Sequence, residues 1–289
     1  MRRLLFIAAL LSLSCSKVNV EQPSKDEIKT EFSLPKKLKE VSGMVISQDQ
    51  NAIWVIEDQG NKNEVYGVDR TGKMIAEIEV NNAENNDWEE LTKDKEGNIY
   101  IGDFGNNEND RKDLAILKLD LKNTSQSSSR VIQKTTFQYE GQTDFPPKKS
   151  NLLYDCEAFV EKEGFFYLFT KNRSKGFDGT FLVFKIPNKN GNFEAKLMGT
   201  LKLDGGYSDA AITGAAINSK NQIVLLSHKN VHILTGFSED NFSNSHVKTI
   251  SLNHHSQKEA VAFLDDSALL IADERDKKEG GNVYQFKLP

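Results

Sequence analysis

A phrase of strand, polar turn and strand recurs along this chain, and a repeat at near-constant spacing limits the fold more than any composition figure does. One copy is Asp155-Cys156-Glu157-Ala158-Phe159, followed after a short turn by Phe165-Phe166-Tyr167-Leu168-Phe169-Thr170-Lys171. The phrase returns as Asp87-Trp88-Glu89-Glu90-Leu91 with Ile99-Tyr100-Ile101-Gly102-Asp103, and as Lys258-Glu259-Ala260-Val261-Ala262-Phe263 with Leu269-Leu270-Ile271-Ala272-Asp273. A weaker copy is Ile212-Thr213-Gly214-Ala215-Ala216-Ile217 with Ile223-Val224-Leu225-Leu226-Ser227. Fourteen positions separate the first key residue from the closing polar residue in these copies: 89 to 103, 157 to 171, 213 to 227 and 259 to 273. A fifth copy runs from Glu40-Val41-Ser42-Gly43 to Ile53-Trp54-Val55-Ile56-Glu57-Asp58 and is longer and less regular.

Each copy is followed by further short β-type runs bounded by turn residues. They fall at residues 64–68 and 74–80, 114–119 and 131–139, 180–186 and 195–203, 231–235 and 247–252, and 283–288. No stretch reads as an amphipathic helix. The pattern predicts an all-β fold, a β-propeller of five four-stranded blades. The last unit has only three strands of its own, so residues 29–34 are expected to close it and cover its open edge. The loop at residues 140–153 is the main place where a sixth, degenerate blade could hide. A two-sheet sandwich would also show many short strands, but it would not predict the constant internal spacing.

The 289 residues are 38% apolar and 27% charged, a globular composition with ample length for one domain. Seventeen Phe and seven Tyr against six Pro suit many short buried strands. A net charge of -5 leaves no basic concentration able to neutralise a nucleic-acid backbone. Arg2 and Arg3 precede an apolar run at residues 4–13, too short to span a bilayer, which ends at Ser14-Cys15. Residues 1–15 read as a lipoprotein signal with Cys15 as the lipidated residue, although Ser12 stands where such signals carry an aliphatic residue. Residues 16–30 are polar and aperiodic and read as a tether, leaving residues 31–289 as the propeller. The expected location is the cell envelope, with the membrane reached through the anchor at Cys15. The second cysteine, Cys156, falls in an inner strand and reads as core.

Blade geometry turns the repeat into a site. In a propeller the start of each first strand and the end of each second strand lie at one rim of the central channel. Glu40, Glu89, Glu157 and Glu259 therefore converge there, as do Asp58, Asp103, Lys171 and Asp273. Asn106, Arg111, Arg173 and Arg275 follow closely enough to join the mouth as ligand-facing residues. Grouped carboxylates repel one another unless a cation sits among them. Oxygen-only ligands favour calcium over zinc, and no His or Cys spacing suits zinc. Two alternatives stay open: the glutamates may tie neighbouring blades through backbone amides, and the basic residues may neutralise the acids without a metal. Gly60 and Gly105, in Asp58-Gln59-Gly60-Asn61 and Asp103-Phe104-Gly105-Asn106-Asn107, read as tight-turn glycines. Trp54 and Trp88 read as blade packing. No nucleophile elbow and no glycine-rich phosphate loop is present.

These phrases, with Thr170-Lys171-Asn172-Arg173 and Ile212-Thr213-Gly214, resemble bacterial propeller proteins of the SdiA-regulated type over residues 36–288. That resemblance implies an envelope propeller and no settled reaction. A more distant likeness is to gluconolactonase-type propellers, which hold a divalent cation in the channel and hydrolyse lactones. The full ligand set of that family cannot be placed on this chain, and fold-level analogy does not carry an activity. The expected function is binding of a protein or small-molecule partner at the channel mouth, with calcium there. The alternative is a metal-dependent hydrolase of esters, lactones or phosphoesters. Cys15→Ala should abolish metabolic labelling by fatty acid and release the protein from membranes; a variant still labelled would refute the anchor.

Overall fold

The structure, a computed structural model, describes residues 28–289 apart from 122, 239, 240 and 278. Cys15, the signal and residues 16–27 of the expected tether lie outside the described residues. The chain is nearly all β, and its strands fall into five antiparallel groups in chain order. The first group comprises β2 (Val41–Ile46), β3 (Ile53–Glu57), β4 (Glu64–Val68) and β5 (Met74–Asn81). The second comprises β6 (Trp88–Lys93), β7 (Ile99–Asp103), β8 (Ala115–Leu119) and β9 (Ser128–Tyr139). In the third are β10 (Asp155–Lys162), β11 (Phe165–Lys171), β12 (Thr180–Pro187) and β13 (Gly191–Lys202). After the single turn of helix α1 (Tyr207–Ala210), the fourth holds β14 (Gly214–Ile217), β15 (Ile223–Leu226), β16 (Asn230–Thr235) and β17 (His246–Ser251).

The fifth group contains β18 (Lys258–Asp265), β19 (Ala268–Asp273) and β22 (Asn282–Lys287), with a small hairpin of β20 (Arg275–Asp276) and β21 (Glu279–Gly280) between the last two. Its fourth strand is β1 (Ile28–Ser33), which pairs antiparallel with β22. β1 begins three residues before the expected domain start at residue 31, because Ile28, Lys29 and Thr30 pair with Phe286, Gln285 and Tyr284. Residues 140–153 contain no strand.

The first strands of the groups pack side by side in a ring, β2 on β6, β6 on β10, β10 on β14, β14 on β18, and β18 back on β2. The core has the same cyclic order. Each apolar cluster lies between consecutive groups, from Trp54 with Trp88 between the first and second to Val41 with Ala260 and Val283 between the fifth and first. The two tryptophans are packing residues, as expected. At Gly43 the ring leaves no room for a side chain: a Cβ there would lie 2.5 Å from the backbone nitrogen of Leu91. Hydroxyls join neighbours across it. Ser42 Oγ donates to the Trp88 carbonyl and Thr213 Oγ1 to the Lys258 carbonyl, each at 2.7 Å.

One feature departs from separate blades. The 12-residue β9 pairs antiparallel with β8 on one edge, while its other edge meets β5 and then β13 in parallel. The first three groups thereby share one hydrogen-bonded sheet of 12 strands. The lengths of β9 and β13 allow this, since both run past their antiparallel partners.

Deleting residues 28–34 should expose the β22 edge and strip buried Phe32 and Leu34 from the core between the fifth and first groups. The expected result is a lower urea midpoint and concentration-dependent aggregation on size exclusion; a monomer of unchanged midpoint would refute the closing role of β1.

Candidate functional site

Four of the inner strands carry a β-bulge near their start, and the repeated acid is the extra residue in three of them. The register shifts between Trp88 and Glu90, Cys156 and Ala158, and Lys258 and Ala260, leaving Glu89, Glu157 and Glu259 unpaired. A bulge opposes two residues to one and re-aims the extra side chain, here toward the channel mouth. In the first group the shift lies between Val41 and Gly43, so Ser42 occupies the bulge. Glu40 therefore stands outside the series; it is exposed and accepts from Asn61 Nδ2 at 2.9 Å.

Two of these glutamates belong to Asp-x-Glu triplets on the adjacent strands β6 and β10, and the triplets are treated differently. Arg173 donates Nε to Asp155 Oδ2 and Nη2 to Glu157 Oε1, both at 2.5 Å, and its Nη1 reaches the Tyr207 hydroxyl at 2.9 Å. Lys171, itself buried, lies 3.1 Å from Glu157 Oε2 and 3.9 Å from Glu259 Oε2. Burial pushes the Glu157 carboxyl up, but Lys171 and Arg173 more than offset it and hold it below the usual range. Asp155 is pushed up to about 7, by burial and then by Glu157. One guanidinium thus serves both carboxyls, and with Lys171 added on its side Glu157 is the more acidic of the two.

Among the described residues, Asp87 and Glu89 have no such cation in contact. Burial, and then the charges of Glu157 and Asp87, raise Glu89 well above the usual range. Asp87 is pushed up to about 6, first by burial, although its hydrogen bond with Glu89 lowers it. Asp87 Oδ1 is buried without a hydrogen-bond partner. Gly105 makes room for this pair: a Cβ there would lie 2.3 Å from Asp87 Cγ and from Glu89 Oε1. Its φ is not positive, whereas that of Gly60 is +84°. Gly60 thus fits the turn explanation, and Gly105 is required for space instead.

The acid excess extends along the same rim. Asp58 is pushed up to about 7 by burial and by the charges of Glu40 and Asp87. Glu274 is pushed up to about 8 by burial and by Glu259, Asp58 and Glu40. Glu259 accepts from, or donates to, His228 Nε2 at 3.0 Å. Among the described residues, no group of three or more His, Cys, Asp or Glu side chains is arranged to hold a metal ion.

The other expected residues are tied into the framework. Asp103 accepts from Arg111 Nη2, the Asp87 amide and Asn86 Nδ2. Asn106 bonds the second group to the third, its amide donating to Asp155 Oδ1 at 2.8 Å while its Oδ1 accepts from the Arg111 amide. Asp273 accepts from the Asn282 amide and the Tyr284 hydroxyl, and Arg275 Nη2 donates to the Leu34 and Gly281 carbonyls. Those last two fasten the closing strand region and not the ligand side of the mouth. Sequence reasoning overlooked Asp87, Asp155 and His228 as site residues, along with Glu274 and Glu90. The recurrence of Asp two positions before Glu was a usable signal for the first two.

Glu90 is fully buried and spans the channel. Its Oε1 accepts from the Leu91 and Met44 amides, and its Oε2 accepts from Ala215 N on the far side at 3.0 Å. Burial raises its carboxyl well above the usual range, opposed by those amides. At the opposite mouth, where the inner strands end, lies a cavity of about 1060 Å³.

The class defined by this arrangement is a β-propeller with an acid-rich channel mouth. No family model matches the chain, so its likeness to the SdiA-regulated type rests on the sequence phrases alone. No curated protein matches it either. Among solved structures it is similar to the PQQ-bound aldose sugar dehydrogenase of Streptomyces coelicolor, at 10% identity and a TM-score of 0.55 over 92% of this chain and 99% of that one. It is also similar to a gluconolactonase of Xanthomonas campestris, at 11% identity and 0.47 over 91% and 89%. A third is virginiamycin B lyase of Staphylococcus aureus, at 13% and 0.40 over 86% of this chain and 66% of that one. At 10% identity the first of these shows the propeller fold alone.

Gly105→Ala should force the Asp87 and Glu89 carboxyls aside and lower stability by roughly 1–3 kcal/mol in urea denaturation. A loss below about 0.5 kcal/mol would mean the pair has room to move.

Proposed function

We propose that this chain is a cell-envelope lipoprotein, anchored through Cys15, whose channel mouth binds a ligand carrying positive charge. In this reading the fold is a propeller of five blades closed by β1. The ring of inner strands and the cyclic order of the apolar clusters support that count. The observation that carries the functional reading is the Asp87–Glu89 pair, buried beside further raised acids, with an oxygen of Asp87 lacking any partner. A cation placed there would satisfy that oxygen and offset the burial, and then the mutual repulsion, that make the neighbouring acids hold their protons.

Calcium is the simplest such cation, but the glutamate set expected for it does not fit. Glu157 would have to leave Lys171 and Arg173, and Glu259 would have to leave Lys171 and His228. Among the described residues, Asp58, Asp87, Glu89 and Glu274, with the exposed Glu40, have no cation in contact, and any bound cation belongs on that side. A hydrolase is the second reading, favoured by one observation: within one cleft Asp155 is raised and Glu157 is held low. Such a split supplies an acid and a base. Esterase, lactonase and phosphoesterase assays on wild type and Glu157→Gln decide it, since equal rates in the two would remove Glu157 from any mechanism.

The pH dependence tests the binding reading. Asp87, Asp58 and Glu274 lose protons through about 6, 7 and 8 respectively, so cation affinity should rise across that window. Titration calorimetry with calcium chloride and with a small diamine should show binding at the top of the window, weakening toward its bottom and in Asp87→Asn. Wild type that binds neither at the top would sink the proposal. The same groups bind protons more tightly folded than unfolded, so their stabilising contribution is full below the ordinary carboxylate range and is lost as pH rises through the window. Glu274→Gln should flatten the fall in melting temperature.

A further inference from the structure

The cavity of about 1060 Å³ at the mouth opposite the acids takes no part in the reading above. Its volume lies just above the range of about 300–1,000 Å³ usual for small-molecule sites. Met44, Leu91, Ala215, Val261 and Phe263 give it an apolar wall where the inner strands run out. Lys93, the last residue of β6, also lines it and is half-buried. Its Nζ donates to the Ile46 carbonyl at 2.7 Å, and no carboxylate is paired with it among the described residues. Burial holds this ammonium below the usual lysine range.

The acids around the cavity accept hydrogen bonds or ion pairs from elsewhere, and none is paired with Lys93 among the described residues. Asp94 accepts from the amide and side chain of Asn98 and from the Tyr100 hydroxyl. Glu161 accepts from the Gly164 amide, Asp265 from Ser267, and Asp266 from Ser219 beside Lys220. Glu96 and Glu163 lie within ion-pair reach of Lys95 and Lys162. The lining acids are thus engaged, while the desolvated ammonium has one neutral partner and further donor capacity. A desolvated charge of this kind is expensive unless a counter-charge meets it.

We propose that this cavity binds a small apolar carboxylate or sulfonate, whose anionic head meets Lys93 while its hydrocarbon part covers the wall. Anionic anilinonaphthalene sulfonate and neutral phenylnaphthylamine, titrated by fluorescence into the folded protein, separate the two contributions. The expected result is saturable binding of the anionic probe, displaced by octanoate. Lys93→Met should weaken it by roughly tenfold or more, and Lys93→Arg by no more than about threefold. The neutral probe should not distinguish wild type from Lys93→Met. Phe263→Asp should weaken both probes by spoiling the wall. Failure of the anionic probe to saturate wild type would overturn the site. So would equal binding by wild type and Lys93→Met, equal losses of both probes in Lys93→Met, or unchanged binding in Phe263→Asp.

Discussion

The carboxyl of Glu90 is the point on which the centre of this molecule depends. Inner strands that converge on one axis bring backbone amides face to face with no water to satisfy them, and a buried amide without a partner is costly. Glu90 meets amides on both sides of the channel, from Met44 and from Ala215, with one short side chain. Gly214 keeps that route open, since a Cβ there would come within 3.2 Å of Glu90 Oε2. With the axis blocked, the two ends of the channel become separate environments, one with buried acids crowded at its rim and one opening into a wide cavity with an apolar wall.

Crowding at the acid end follows from the bulges. Regular alternation would send every second side chain into the inter-blade cores, where a carboxylate could not be tolerated. The extra residue in β6, β10 and β18 lets a glutamate turn to the mouth while its neighbours keep their packing, as Trp88 and Cys156 do. The rim is then divided by its cations. Lys171 and Arg173 balance the acids of the third group, whereas burial, and then their mutual charge, makes Asp87, Glu89, Asp58 and Glu274 hold protons more tightly than usual. Charge balance, and not the number of acids, separates a structural part of this rim from a receptive one.

Most of the fold was legible in the sequence because period and spacing are properties of the strands themselves. The third strands at 64–68 and 180–186, the closing strand near 29–34, and the buried tryptophans all stand where the pattern put them, to within a few residues. The parallel pairing of β9 with β5 and β13 was not legible, since it depends on outer strands of different groups meeting in space. For the site, the rim was readable and its chemistry was not. The fixed interval of 14 located Glu89, Glu157 and Glu259. It could not show that Lys171 and Arg173 neutralise one triplet, or that Asp273 and Arg275 turn toward the closing strand. In the irregular first copy the longer interval moved the bulge to Ser42, so Glu40 was placed in a series to which it does not belong.

The long strand β9 also decides where this ring is strong. Its two parallel pairings knit the first three groups into one sheet, whereas the fourth and fifth are joined to their neighbours by side-chain packing and isolated hydrogen bonds. The molecule is therefore unevenly joined, an arc of three hydrogen-bonded groups completed by two that are seated one by one. Its seams lie on either side of the fourth group and where the fifth meets the first. Opening at those seams would part β14 from Glu90 and β18 from Lys171, so the contacts that seal the channel and balance its mouth are also the latches of the ring.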